Sequence, residues 1–102
     1  MPKLIDMKQL PKTALAYKRT ATFTQDSIPP GLLKAHQTKA GTWGKIVVLS
    51  GDLVYRILEP SIEEVHLASD DVGIVEPGVR HEVQALGPVS FYVEFCRQTP
   101  AE

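Results

Sequence analysis

The chain has 102 residues, room for one domain whose core buries roughly two thirds of the surface exposed on unfolding. Its 11 basic and 12 acidic residues leave a formal net charge of -1, so no strong field draws it to phosphate backbones or anionic lipid, and neither nucleic acid nor a membrane is expected as a partner. The single cysteine, Cys96, excludes an internal disulfide and a multi-thiolate zinc cluster.

Residues 1–15 read as an N-terminal arm. Met1-Pro2-Lys3-Leu4-Ile5-Asp6 has a basic residue but no hydrophobic stretch or cleavage site after it, so it is not a secretory signal and a cytoplasmic address is expected. The best helical candidate runs from Leu4 to Leu10 and is stopped by Pro11.

From residue 16 to 97 the pattern changes to short segments rich in Val, Ile, Leu, Phe, Tyr and Thr, divided by turn residues. That pattern predicts an all-β sandwich or barrel. Strands are expected at 16–22, 32–38, 44–50, 53–59, 63–67, 73–76, 81–85 and 89–97, with a tail at 98–102. Pro29-Pro30-Gly31 ends whatever precedes it. Ser50-Gly51-Asp52 predicts a hairpin between 46–49 and 53–58, with Gly51 at positive φ.

Ile46-Val47-Val48-Leu49 is the longest apolar run, far short of the ~20 residues that cross a bilayer. Being apolar throughout, it is expected to be covered on both faces. Pro77-Gly78 is a type II turn signal, and Gly87-Pro88 is read as separating the last two strands. In the final strand Phe91, Val93 and Phe95 share one side, leaving Tyr92, Glu94 and Cys96 on the other. Cys96 reads as a small buried hydrophobe rather than a reactive thiol.

Two of the three histidines sit beside turn chemistry at opposite ends of the β-rich region. His36 opens His36-Gln37-Thr38-Lys39-Ala40-Gly41-Thr42-Trp43-Gly44-Lys45, and His81 closes Glu76-Pro77-Gly78-Val79-Arg80-His81. The Pro-Gly turn fixes where the next strand begins and puts His81 at its first position, where it can meet a ligand. His66, within Val65-His66-Leu67, is expected at the surface or an interface.

The run from Asp70 to Val83 resembles the second motif of the cupin superfamily, and 45–55 with Gly51 resembles the end of the first. More narrowly, Ile28-Pro29, the 32–45 run containing His-x-Thr-Lys-x-Gly-x-Trp-Gly-Lys, and Leu49-Ser50-Gly51 are similar to the cupin-like domain of TehB-type tellurite-resistance proteins and YeaR-type stand-alone proteins. The resemblance covers about Tyr17 to Cys96. It implies a double-stranded β-helix (cupin, jelly-roll-like) barrel, often dimeric, with a metal site in its mouth and a link to tellurite or other oxyanion stress. Longer TehB-type proteins also carry a methyltransferase domain. These 102 residues contain no glycine-rich nucleotide loop, so methyl transfer is not expected of them.

The general cupin pattern takes two histidines and a glutamate from the first motif and one histidine from the second. Here His36 stands for the first and His81 for the last, whereas Thr38 falls at the second histidine position and Gly44 near the glutamate. Two imidazoles and a carboxylate could hold zinc, nickel or iron with water in the remaining positions. Glu94 is the candidate third ligand; the alternative is an ordinary solvent-facing glutamate. Without a metal, His36 and His81 would be hydrogen-bonded pocket residues.

Lys39, Lys45 and Arg80 are the cations nearest in sequence to the two histidines; lining the same mouth, they would favour an anionic ligand. Trp43 could form an apolar wall. The expected role is a stress-related small-molecule or oxyanion binding protein with a divalent metal. A metal-dependent enzyme and a non-catalytic homodimerisation module are the alternatives.

Overall fold

The computed structural model describes residues 14–33 and 41–98. The described residues are all-β, in one six-stranded antiparallel sheet. β1 spans Ala14–Arg19, β2 Phe23–Thr24, β3 Thr42–Ile57, β4 Glu63–Leu67, β5 Val72–Val75 and β6 His81–Gln98. A 3-10 turn at Pro30–Leu33 follows β2. No helix among the described residues is long and apolar enough to cross a membrane.

The central pair is β3 with β6, in register from Thr42↔Arg97 to Ile57↔His81. Around it the order is β1-β6-β3-β4, with β5 also pairing β3 and β2 also pairing β6. The sheet does not close on itself along this path, so an all-β antiparallel sheet is what stands of the barrel expectation.

Four sequence expectations are corrected. The hairpin at Ser50-Gly51-Asp52 does not exist: β3 runs straight through it, with register shifts between Val48 and Ser50 and between Gly51 and Leu53. Gly51 does take a positive φ of 82°, but the left-handed residue serves a bulge that bends a strand. A Cβ there would lie 2.0 Å from the Pro88 carbonyl oxygen. Gly87-Pro88 likewise lies within β6, opposite the β3 bulge, so the two strands bend together.

Third, residues 32 and 33 belong to the 3-10 turn rather than to a strand, as the preceding Pro-Pro-Gly favours. Fourth, the 46–49 run is covered on one face only: Ile46 and Val48 are buried, while Leu49 is 47% exposed. The segments at 63–67 and 76–79 are as expected. β4 matches its bounds, and Gly78 has φ 75° in a turn closed by Val79 N–H donating to Glu76 O at 3.3 Å, the type II geometry. The candidate helix at 4–10 lies outside the described residues.

The core alternates along both long strands. Ile46, Val48, Leu53, Tyr55 and Ile57 of β3 meet Val83, Val89, Phe91 and Val93 of β6, with Leu67 and Val75 joining from β4 and β5. Phe23 packs edge-on to Phe91 at 5.7 Å, tying the short β2 to this core.

Candidate functional site

On the core face, where the sheet curves, a cavity of ≈ 200 Å³ is left unfilled. β3 contributes Gly44 and Ile46, β5 contributes Val75, and β6 contributes His81, Val83, Phe91, Val93 and Phe95. Thr20 and the 3-10 turn residues Gly31 and Leu32, with Pro29, complete the wall. At Gly44 the inward-facing position has no side chain, which opens space; a Cβ there would already sit 3.1 Å from Val75 Cβ.

Among the described residues, two polar side chains belong to this lining. The Thr20 hydroxyl is already engaged, donating to Ala21 O at 2.8 Å and accepting from Val93 N–H at 3.0 Å. His81 is 3% exposed. Its Nδ1 lies 3.1 Å from Val79 O; a carbonyl only accepts, so Nδ1 carries a hydrogen and donates it. Tyr55 meets the imidazole edge-to-face at 6.0 Å and is itself pinned by its hydroxyl donating to Ile74 O at 2.9 Å. Burial pushes the Tyr55 hydroxyl far above its ordinary pKa, so it stays a neutral donor.

The other sequence candidates are placed elsewhere. His36 and Lys39 lie outside the described residues. Glu94 alternates with the cavity-lining Val93 and Phe95 and so faces the opposite side of β6 from the cavity. There Arg19 donates to Glu94 Oε2 at 2.8 Å, and Lys45 Nζ lies 3.8 Å from Oε1. Lys45 and Trp43 share that outer face, being out of phase with the cavity-lining Gly44 and Ile46. The Arg80 side chain is 57% exposed, 3.9 Å from Glu59, and does not line the cavity.

Among the described residues, no three of His, Cys, Asp and Glu converge on a common point that could hold a metal ion. His66 is exposed and pairs with Asp52 at 2.9 Å, in keeping with a surface role. Cys96 is buried, and that burial raises its thiol pKa, which disfavours the reactive thiolate.

Sequence reasoning missed most of the cavity wall, although the Phe91-Val93-Phe95 alternation marked one side of it. It also missed Tyr55 as the residue that positions His81. No local signal could have shown that pairing, since it depends on β3 and β6 lying side by side.

The model of the TehB-like domain matches residues 18–93. The probable S-adenosyl-L-methionine-dependent methyltransferase TehB of Haemophilus influenzae is 36% identical over 76 residues, 71% of this chain and 27% of that protein. The chain thus spans about a quarter of that relative's length. The crystal structure of TehB from Haemophilus influenzae superposes with a TM-score of 0.78 at 30% identity, over 85% of this chain and 32% of that one. A protein from E. coli (strain K12) superposes with a TM-score of 0.84 over 92% of this chain and all of that one; at 16% identity this is likeness of fold.

Proposed function

The chain belongs to the TehB-like domain family, and from that premise we propose that it is a small-ligand-binding β-domain tied to tellurite or related oxyanion stress. Its site is the cavity under the 3-10 turn. The observation that carries this reading is a buried, oriented imidazole, His81, in a cavity wall whose other described residues are apolar apart from Thr20. Apolar pockets with a few placed polar groups are the usual form of small-molecule sites. On the same reading, the jointly bent β3 and β6 belong to a double-stranded β-helix of cupin type, and the domain works as a homodimer in the cytoplasm.

A second reading is favoured by one feature. A hydrogen bond from Nδ1 to a carbonyl is the arrangement that presents Nε2 to a metal, so His81 with His36 would hold a zinc, nickel or iron ion and an oxyanion would complete its coordination. Glu94, engaged by Arg19 and Lys45 on the other face, is left out of that set.

The test is thermal-shift measurement of untagged protein against small neutral molecules, divalent ions, tellurite and selenite. Stabilisation by at least one that disappears in His81→Ala is expected. No stabilisation by any of them would overturn the binding role. The metal reading requires zinc binding lost in both His36→Ala and His81→Ala.

A further inference from the structure

The outer face of the sheet is more apolar than water-facing sheets are. β1, β6, the first half of β3 and β5 lie side by side in that order. Alternation turns Trp43, Val47, Val72, Ile74, Tyr92 and Cys96 away from the core. An antiparallel sheet with one solvated face reads apolar inside and polar outside; here the outer side is mostly apolar as well. Ile74 and Cys96 are 9% and 2% exposed yet do not belong to the core cluster. Trp43, Val47, Val72 and Tyr92 are partly exposed.

Register sorts this face into rows across the strands. Tyr92, Val47 and Val72 form one row, and Cys96 and Trp43 form another. Between them runs a charged row, Arg19, Glu94 and Lys45, which ends in Ile74 on β5. Its charges alternate in sign and are held in place. Arg19 donates to Glu94 Oε2 at 2.8 Å while its guanidinium lies 4.3 Å from the centre of the Tyr92 ring, and Lys45 Nζ is 3.8 Å from Oε1. Tryptophan, tyrosine and arginine are the side chains enriched where protein surfaces meet.

We propose that this face is the homodimer interface, on which a second copy of the chain packs around a two-fold axis running along the strands midway between β3 and β6. This rests on the homodimer reading and gives it a surface. An axis so placed carries each row onto itself in reverse order. Glu94 then faces the second copy's Lys45, Tyr92 faces its Val47 and Cys96 faces its Trp43, and each contact occurs twice, as an isologous interface requires. Charge meets opposite charge, and apolar row meets apolar row. An axis moved onto β6 would instead set Glu94 against Glu94 and Arg19 against Lys45. Packed sheets stack about 10 Å apart and within about 30° of parallel, a gap that Lys and Glu side chains span from both sides. From Trp43 to Leu49 and across the strands the face measures roughly 19 by 23 Å. Apposing two copies therefore removes on the order of 1,000 Å² from water, enough for a specific dimer.

The test is sedimentation velocity of the untagged full chain over a concentration series, with NMR on a sample mixed from isotope-labelled and unlabelled protein. A dimer is expected, with nuclear Overhauser contacts between copies from the Val47 methyls to the Tyr92 ring. Val47→Glu puts a charge into the apolar row and raises the dissociation constant roughly thirtyfold or more, the size of an interface hot spot. Lys45→Glu, which sets Glu against the second copy's Glu94, does the same should Val47→Glu not fold, and adding Glu94→Lys restores the dimer. Ile62→Glu, at an exposed side chain on the β3–β4 connection, leaves the dimer unchanged.

The proposal is overturned if a dimer forms whose dissociation constant none of the folded face variants changes, or if Val47 and Tyr92 make no contact between copies. The homodimer reading then stands with its surface elsewhere. A monomer at every concentration overturns both and leaves the ligand-binding role untouched.

Discussion

Gly51 and Tyr55 each act at the scale of one residue. Gly51 lets β3 and β6 approach at the bend. Substituting alanine there would put a Cβ 2.0 Å from Pro88 O and 2.7 Å from Val89 Cα, both backbone atoms that cannot swing aside. Gly51→Ala is therefore expected to cost more than the roughly 1–3 kcal/mol of a strained positive φ alone. Gly78→Ala, at a similar φ with nothing within 4 Å of the new Cβ, should cost only that strain. Urea denaturation of the two variants checks this, and equal midpoints would show that the close approach to β6 is not what Gly51 provides.

Tyr55 gives a pH prediction. Its folded pKa is raised by burial, then by the nearby Glu76 and Glu63 charges, whereas the unfolded phenol titrates near roughly 10. A raised folded pKa means that the native state holds the proton more tightly. The stabilisation is complete below the unfolded pKa and is lost as pH rises above it. Native stability should fall above roughly pH 10, and Tyr55→Phe should flatten that decline while costing about 1 kcal/mol at neutral pH for the lost hydrogen bond to Ile74 O. An unchanged alkaline slope would contradict this.

Among elements, β3, β4 and β6 are joined across their outer face by Arg56, whose Nε donates to Glu64 at 2.8 Å and whose Nη1 donates to Glu82. The register Arg56↔Glu64 and Arg56↔Glu82 places these charges directly opposite, the arrangement in which cross-strand pairs stabilise. Arg56→Met is expected to lower the melting temperature at low salt, with the gap to the native protein narrowing in 1 M salt as the pairs are screened. A gap independent of salt would mean that packing of the arginine stem, not charge, is what matters.

How legible the elements were depends on whether their signals were local. β4 was readable because its alternation and flanking turns lie within a few residues. The Pro77-Gly78 turn was readable because Pro and Gly each constrain their own φ. The break at Ser50-Gly51-Asp52 was misread because a positive-φ glycine fits a hairpin and a bulge equally well; only the partner strand decides, and β6 runs continuously past it. For the same reason His81 could be placed at a strand start from its turn, while the outward side of Glu94 followed from alternation only once Phe91, Val93 and Phe95 were known to face the core.

For the whole molecule, the frame is the long β3–β6 pairing, which joins residues as distant in the chain as Thr42 and Arg97. All the other described strands attach to one of these two, so the pair must form before the cavity has walls. Non-local pairing of this kind folds slowly, on the order of milliseconds to seconds for all-β domains. The interior of the frame carries the buried side chains, whereas among the described strands β1 pairs with β6 only and is exposed along nearly its whole length.

Native-state hydrogen exchange should resolve this hierarchy. The amides of Ile46, Val48, Phe91 and Val93 are expected to exchange only through global unfolding, and those of β1 by local fraying at far lower free energy. A ligand bound in the cavity, which Phe91 and Val93 line, should raise protection at the frame as its concentration passes the dissociation constant, because a ligand specific to the native state stabilises it by mass action. If β1 amides proved as protected as those of Phe91, the sheet would be unfolding as one unit and β1 would be part of the frame. The N-terminal strand would then have to be intact for the cavity to exist, and deleting it would abolish binding along with stability.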